Sequence, residues 1–349
     1  MVSGPTLKLI SRVQESFDGL QCVDLVEWSN RLVIDKHTLM TSATPEGPNA
    51  SATALQELDL HLSVHNAENV VKLEHHLLQG ERLHLLHEHC ARGDLLEIMQ
   101  QEFRLQKAGV PPHSSSLMTC SDAGRRYIFT SVLRGVQALH TAGIAHLDLS
   151  PENIFVTESG VVKVGDLGHA QRFRLERPSV QVLQVAKVAY AAPEVLRHTQ
   201  VEDARRADAW SLGVILWSLC TKRALYRSSP DRDKLFNRMV ESGSAAALQE
   251  TGLLSQVPTA CVDLLVGLLD VNPKSRLSVT AALQHPWVTQ DTAIKRSRRK
   301  SIGNMIKKKG GELMKKQQRP SEKKTRVRTA SAEITLDSTR VTLTPRSPA

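Results

Sequence analysis

The chain is poor in aromatic residues, has few cysteines and lacks any long apolar run. Only 4% of its 349 residues are Phe, Trp or Tyr. The five cysteines stand far apart and form no CxxC pair, which argues against a disulfide framework and shows no zinc-site spacing. The longest largely apolar run, Ala209–Cys220, is too short to span a bilayer, and no signal-peptide pattern opens the chain. We therefore expect a soluble protein of a reducing compartment, cytoplasmic or, as an alternative, nuclear.

Positive charge is concentrated at the C-terminal end. The net charge is +9, yet residues 291–349 hold 17 Lys and Arg against 5 Asp and Glu, so the rest of the chain is slightly acidic. The overall hydrophobic content of 41% allows a large core. The basic end is too poor in apolar residues to offset the entropy of ordering. We predict a globular domain over residues 7–289 and a basic, disordered tail over residues 290–349.

Hydrophobic periodicity divides the predicted domain into a β-rich part and a helical part. Alternating apolar residues between Leu7 and Leu39 predict strands of an antiparallel sheet. Helical spacing dominates the second part, where Asp208–Leu219 is apolar on nearly all sides, as in a helix buried inside a large lobe. The predicted fold class is α+β, with a small β-rich lobe over about residues 7–90 and a larger helical lobe over about residues 91–289.

Three polar side chains that suit phosphoryl transfer follow a long predicted helix. Asp148 and Asn153 are five residues apart, and Asp166 follows thirteen residues later, behind a strand-like segment. Phosphoryl transfer needs one carboxylate to orient the attacking hydroxyl and accept its proton, together with an amide and a second carboxylate to hold Mg²⁺ on the triphosphate. The spacing on a hairpin brings all three to one edge. We predict catalytic roles for Asp148, Asn153 and Asp166, with Asn153 and Asp166 as the Mg²⁺ ligands.

These residues and their spacing resemble signatures of the eukaryotic protein kinase superfamily. They match its HRDLxxxN and DFG motifs, and the catalytic loop resembles that of the calmodulin-kinase-like branch. Three further segments are similar to the family's APE, DxWSLG and NPxxR motifs: Ala192–Glu194, Asp208–Gly213 and Asn272–Arg276. The resemblance implies a two-lobed serine/threonine kinase that uses ATP and Mg²⁺ and acts on protein substrates. It also implies an ion pair between Arg276 and Glu194.

The resemblance extends more weakly into the small lobe. Val33–Lys36 resembles the VAIK strand, so Lys36 would grip the α- and β-phosphates of ATP, with Glu57 on the following helix as its ion-pair partner. An ordinary exposed lysine on a strand is the alternative for Lys36. The segment that joins the lobes places His87 in the gatekeeper position and implies that adenine bonds the backbone of Glu88 and Cys90. The same His/Cys run also raises the alternative of a metal site.

The phosphate-covering loop is degenerate. The family's GxGxxGxV should lie near Val13–Val23, where only Phe17 and Gly19 resemble it. Glycines allow backbone N–H groups to approach phosphates, whereas Glu15 would bring a negative charge towards them. We therefore expect weakened nucleotide affinity. In addition, Leu147 replaces the arginine that usually receives an activation-loop phosphate, so control by loop phosphorylation is not expected.

Two substitutions beside the predicted catalytic Asp148 are complementary. Ser150 replaces the family's catalytic-loop lysine, and Lys187 follows Ala186 where the family has a Gly-Thr pair that lies against that lysine. We hypothesise that Lys187 reaches across and supplies the missing ammonium, which makes it a further candidate catalytic residue. The alternative is two independent losses in a decayed site. Two functions therefore remain open: an active protein kinase and a pseudokinase scaffold with weak or no phosphotransfer.

The basic tail suggests several kinds of partner. Its clusters Lys295–Ser301 and Lys307–Lys309 suit a nuclear import receptor, calmodulin or an anionic membrane, and a merely solvated tail is the alternative. The tail contains no aromatic residue for stacking on bases, so sequence-specific nucleic-acid binding is not expected. We expect the protein to be a monomer.

Overall fold

A computed structural model describes residues 7–16, 18–40, 50–109, 118–182, 184–226 and 232–290. All of them belong to one compact unit that ends at Ala293. Phe17 and the predicted basic tail from residue 291 lie outside the described residues. All five cysteines have free thiols. No helix in the described ranges combines the length and the apolar character needed to cross a membrane.

The first lobe is an antiparallel five-stranded sheet with one helix. Alternation sets the sheet's buried face, since Cys22, Asp24 and Val26 are buried while the residues between them are partly exposed. Helix α1, Ala50–Ser63, follows the third strand and packs against the sheet. The strand order is β1-β2-β3-β5-β4, and in chain order the strands β1 to β5 are Lys8–Glu15, Gln21–Trp28, Arg31–Leu39, Leu73–Gln79 and Arg82–Glu88.

The second lobe is helical, with three short antiparallel strand pairs at its edge. Side-chain caps begin several of its helices; for example, Asp94 accepts the backbone N–H of Glu97, and Ser121 accepts that of Gly124. Its helices α2 to α9 are Leu95–Lys107, Asp122–Thr141, Pro193–Arg197, Ala204–Thr221, Lys234–Ser242, Ser244–Glu250, Val262–Leu268 and Val279–Gln284. The pairs are β6–β9, β7–β8 and β10–β11, formed by Ile144–Ala145 with Gln171–Arg172, Ile154–Val156 with Val162–Val164, and Val180–Gln181 with Gln200–Val201.

Helix α5 lies at the centre of the second lobe. Nearly every one of its side chains is buried, including the indoles of Trp210 and Trp217. Gly213 allows close approach to the end of α8, because a Cβ there would lie 2.9 Å from the side chain of Leu269. The buried helix predicted over Asp208–Leu219 and the two-lobed α+β fold are thus confirmed.

A buried ion pair joins α4 to the segment before α9. The Arg276 guanidinium donates to both carboxylate oxygens of Glu194, at 2.6 and 2.9 Å, and to the backbone oxygen of Asp270 at 2.8 Å. The Arg276 side chain is fully buried, and its guanidinium lies 5.1 Å from the Trp210 ring centroid. The ion pair implied by the sequence resemblance is therefore present.

Removing this guanidinium should destabilise the whole second lobe. In Arg276→Met the chain keeps a side chain of similar volume, but Glu194 loses its buried partner, and we expect a loss of roughly 3–5 kcal/mol in the free energy of unfolding. Urea denaturation measures it. Arg238→Met is the matched control, because Arg238 pairs with Glu250 in exposed surroundings and its loss should leave the unfolding midpoint unchanged. Equal effects in the two variants would contradict the role given to Arg276.

Candidate active site

A buried carboxylate fixes the loop that carries Asp148. Asp208, in the first half of α5, accepts the backbone N–H groups of His146 and Leu147 at 2.9 and 2.8 Å. Its Oδ2 also lies 2.7 Å from Nε2 of His140. Leu147 has a left-handed backbone, with φ of 60°, which is strained for a non-glycine residue. Asp208 thus supplies the hydrogen bonds that hold a strained conformation next to the candidate catalytic residue.

Asp148 and Asn153 meet at the beginning of the β7–β8 hairpin. The Asn153 side-chain amide donates to the backbone oxygen of Asp148 at 2.7 Å and to its Oδ2 at 2.8 Å. Both residues are buried. The second carboxylate oxygen of Asp148, Oδ1, is buried and has no hydrogen-bond partner among the described residues. The loop therefore orients one oxygen of Asp148 and leaves the other without a partner.

Lys187 lies across the loop from Asp148, as the sequence suggested. Its Nζ donates to Ser150 Oγ at 2.9 Å and lies 3.5 Å from Asp148 Oδ2. Ser150 is fully buried, whereas the Lys187 side chain keeps about a third of its surface exposed. The small Ser150 side chain leaves the space that the Lys187 ammonium reaches. The predicted contact between Lys187 and Asp148 is therefore present, and its part in catalysis stays a prediction.

Lys36 joins the two lobes through two carboxylates. Its Nζ lies 2.9 Å from Glu57 Oε1 in the first lobe and 2.9 Å from Asp166 Oδ1 in the second. Asp166 also has a left-handed backbone, with φ of 57°, and its Oδ1 accepts the N–H of Gly168 at 3.2 Å. The predicted ion pair of Lys36 with Glu57 is thus present, and Asp166 shares the same ammonium.

The charges of this triad shift the pKa values of all three groups. Burial alone would lower the pKa of Lys36, but the charges of Glu57 and Asp166 outweigh that effect and raise it. The Lys36 ammonium holds the pKa of Asp166 well below its usual range. Burial raises the pKa of Glu57, and the attraction of Lys36 offsets only part of that rise. Asp166 therefore stays ionised, whereas Glu57 depends on Lys36 for its charge.

The segment between the lobes holds Glu88 and Cys90. The Glu88 carboxylate forms an ion pair with Lys163 at 2.7 Å and accepts the backbone N–H of Lys72 at 2.7 Å. The Cys90 backbone oxygen accepts the N–H of Gly93 at 3.0 Å, and burial raises the pKa of its thiol to about 12. These contacts fix the path of the segment. The predicted adenine contacts concern its backbone, and they stay a prediction.

The connection between β1 and β2 replaces the family's glycine-rich loop with a turn closed by its own side chains. Asp18 Oδ1 accepts the Ser16 hydroxyl at 2.6 Å and the backbone N–H of Leu20 at 3.0 Å. Glu15, at the end of β1, forms an ion pair with Arg12 at 2.7 Å. Arg12 therefore compensates part of the negative charge that the sequence predicted at this position.

Sequence reasoning missed the role of Asp208. It was predicted as part of a buried helix and of the segment similar to DxWSLG, without a role of its own, yet its carboxylate anchors the loop that carries Asp148. A signal was available, because an ionisable residue in a helix that is otherwise apolar must find buried hydrogen-bond donors. His61 on α1 was also missed; it lies beside Glu57 and tilts against His87, with ring centroids 4.7 Å apart. Its burial results from tertiary packing of α1 on the sheet.

Comparison with known proteins agrees with this geometry. The family model described as protein kinase domain matches residues 22–288. The chain is 26% identical over 247 residues to ribosomal protein S6 kinase alpha-1 of Mus musculus, an alignment that covers 69% of this chain and 31% of the relative. It is 27% identical over 282 residues to serine/threonine-protein kinase SSN3 of Scheffersomyces stipitis, covering 68% of this chain and 62% of that kinase.

A third relative is testis-specific serine/threonine-protein kinase 5 of Mus musculus, 29% identical over 223 residues that cover 63% of this chain and 54% of that kinase. The chain spans less than two thirds of the length of each of these relatives. The family match covers most of the chain and includes Asp148, Asn153 and Asp166. The chain therefore belongs to the protein kinase family.

Proposed function

We propose that the protein is an active serine/threonine kinase that transfers the γ-phosphate of ATP to hydroxyl groups of protein substrates, with Mg²⁺ as the metal. Asp148 carries the proposal. Asn153 holds one of its carboxylate oxygens at 2.8 Å, and the other has no partner in the described part of the chain. A carboxylate oriented in this way, with one oxygen that no described group satisfies, has the chemistry to position a substrate hydroxyl and accept its proton. The serine/threonine assignment is supported by the names of two of the relatives.

Asn153 and Asp166 would hold the metal. Amide and carboxylate oxygens suit Mg²⁺, and a lowered pKa keeps Asp166 charged. The contacts of Asp166 with Lys36 and Gly168 use Oδ1, so Oδ2 is the oxygen that would bind the metal. About two fifths of the Asp166 side chain is exposed, which gives the ion access. When bound, Mg²⁺ would neutralise charge that develops on the phosphates.

The ammonium groups of Lys36 and Lys187 would supply positive charge for the phosphates of ATP, in addition to the charge of Mg²⁺. Glu57 holds the Lys36 ammonium at 2.9 Å, in place to meet the α- and β-phosphates. Lys187 puts a second ammonium 3.5 Å from Asp148, the residue that would accept the proton of the substrate hydroxyl. A fixed ammonium there stabilises the transition state more than the ground state, because negative charge grows between the reacting groups.

One specific observation favours the scaffold function instead. In the β1–β2 turn, Asp18 accepts the backbone N–H of Leu20. Backbone N–H groups of this turn are the donors that would bind a phosphate, and here a side-chain carboxylate from the same turn already takes one of them. A pseudokinase that binds nucleotide weakly, without turnover, is therefore the second candidate function.

Nucleotide binding and phosphotransfer separate the two functions. We expect ATP with Mg²⁺ to raise the melting temperature more than ATP alone or Mg²⁺ alone. In Asp166→Asn a metal ligand is lost, so adding Mg²⁺ to ATP should give no further rise. Phosphotransfer to a generic basic protein should fall at least about 100-fold in Asp148→Asn, which lacks the base. Asp263→Asn, a change at an exposed carboxylate, is the control. Stabilisation by Mg²⁺ and ATP without phosphotransfer would contradict the kinase proposal and support the scaffold.

The role of Lys187 is tested by moving its charge. We expect Lys187→Ala to lower kcat about 100-fold, the effect of losing one group that stabilises developing charge. Adding Ser150→Lys to Lys187→Ala should restore much of the rate, because the new ammonium enters the space that Lys187 occupied. Ser150→Lys alone should lower the rate by crowding two ammonium groups. Lys274→Ala, at an exposed lysine, is the control. Full activity in Lys187→Ala would show that the lysine has no catalytic part.

The Lys36–Glu57 pair predicts a stability change that depends on pH. In Lys36→Met, Glu57 loses the ammonium that supports its charge and must either stay charged while buried or take up a proton at pH 8, so we expect a loss of roughly 3–5 kcal/mol in the free energy of unfolding at that pH. Burial raises the pKa of Glu57 in the folded state, so lowering the pH to 5 protonates it there before the unfolded chain, and the loss shrinks. Urea denaturation at the two pH values measures this. The control variant Lys8→Met removes the lysine of an exposed ion pair with Glu27, and its stability should show no such dependence on pH. A loss independent of pH would contradict this account.

A further inference from the structure

Three buried side chains converge behind Lys36. Glu57 and His61 lie one turn apart on α1, and His87 comes from β5 on the facing sheet. The side chains can each offer one oxygen or nitrogen such that all three atoms lie within 4.8 Å of one another. The residues keep only 1, 1 and 7% of their surfaces exposed. The three side chains therefore meet where helix α1 packs against strand β5 of the sheet.

One nitrogen of each imidazole in this group lacks a partner among the described residues. Neither His61 Nε2 nor His87 Nε2 has a hydrogen-bond partner within the described residues, although both atoms are buried. A buried polar atom without a partner costs free energy, and the great majority of such atoms in folded proteins bind a protein group, a water or an ion. The two rings pack against each other in a tilted arrangement, with centroids 4.7 Å apart. This contact explains why the rings lie together, but it gives neither Nε2 atom a hydrogen bond.

The donor set matches the chemistry of zinc. Two imidazole nitrogens and one carboxylate oxygen form a ligand set that Zn²⁺ uses, with a fourth position open to water. Bonds of about 2.0–2.1 Å in a tetrahedral arrangement place ligand atoms about 3.3 Å apart. His61 Nε2 is already 3.9 Å from Glu57 Oε1. Burial lowers the pKa of His61 to about 4 and that of His87 well below its usual range, so both rings are neutral, as metal ligands must be.

Lys36 and its two carboxylate partners carry a net formal charge beside the histidines. Lys36 shares its single ammonium between two carboxylates, Glu57 and Asp166, so this triad has an excess of one negative charge. We propose that Glu57, His61 and His87 form a Zn²⁺ site in the first lobe, separate from the Mg²⁺ ligands Asn153 and Asp166. Lys36 binds the same Glu57 oxygen that faces His61. Zinc binding therefore withdraws Glu57 from Lys36.

Zinc titration of the untagged 349-residue chain tests the site. After metal removal, Zn²⁺ is added in competition with a chromophoric chelator and without nucleotide. We expect the wild type to bind one equivalent of Zn²⁺. His61→Leu and His87→Leu should each weaken the zinc affinity at least about tenfold, because even the removal of an outer-shell partner of a metal ligand costs roughly that much. The matched control replaces two exposed neighbours on β4, as His75→Gln with His76→Gln, and should keep the affinity.

A second readout covers variants that fail to fold. Co²⁺ in a tetrahedral site gives intense visible absorption bands. We expect these bands for the wild type and the control, but not for His61→Asn or His87→Asn. Thermal unfolding in the presence of chelator shows which variants are folded. No tight equivalent of Zn²⁺ in the wild type would overturn the proposal. Unchanged affinity in the folded His61 and His87 variants would overturn it as well, and so would loss of binding in the control.

The effect on Lys36 gives a further measurement, which rests on the proposed function. We expect one equivalent of Zn²⁺ to weaken the binding of ATP with Mg²⁺ in the wild type and to leave it unchanged in His61→Leu, because only the intact site competes for Glu57. Zinc binding that leaves nucleotide affinity unchanged would refute the competition while keeping the site. If the protein binds no nucleotide, the kinase proposal fails, but the zinc titration without nucleotide still shows whether the zinc site exists.

Discussion

The carboxylate of Asp208 determines the geometry on which the rest of the site depends. It is fully buried, and three donors from two elements satisfy it: the backbone of His146 and Leu147, and the ring of His140 at the end of α3. Without those bonds a left-handed Leu147 has no compensation for its strain. Because Asp148 follows directly, the position of its carboxylate is set by the packing of α5 in the core. The reactive group is therefore positioned by the most deeply buried helix of the lobe.

Much of the architecture was accessible from sequence because its signals are local or periodic. Alternation predicted the first sheet, a run apolar on all sides predicted α5, and the spacing within one motif predicted that Asp148 and Asn153 lie together. The resemblance also predicted the pairs of Lys36 with Glu57 and of Arg276 with Glu194, both present. What sequence reasoning missed are contacts whose partners lie far apart in the chain and follow no period.

The histidines illustrate that limit. His61 and His87 are separated by 26 positions, and although the resemblance gives His87 the gatekeeper position, nothing in the sequence brings the two rings together. Only the packing of α1 on the sheet puts them side by side with Glu57. Likewise, the contact of Arg12 with Glu15 moderates a negative charge whose effect on nucleotide binding looked unfavourable in isolation. In both cases tertiary neighbours change the chemistry of a side chain whose identity alone was uninformative.

The short pairing of β10 with β11 has a consequence for control of the site. Val180 and Val201 are buried partners in this pairing, and the N–H of Val182 extends it by bonding the backbone oxygen of Thr199 at 2.7 Å. Main-chain bonds and apolar contacts thus hold residues 180–182 against residues 199–201, and Leu147 offers no cation to bind a phosphate added to this part of the chain. We therefore expect this part of the chain to keep its path without an added phosphate.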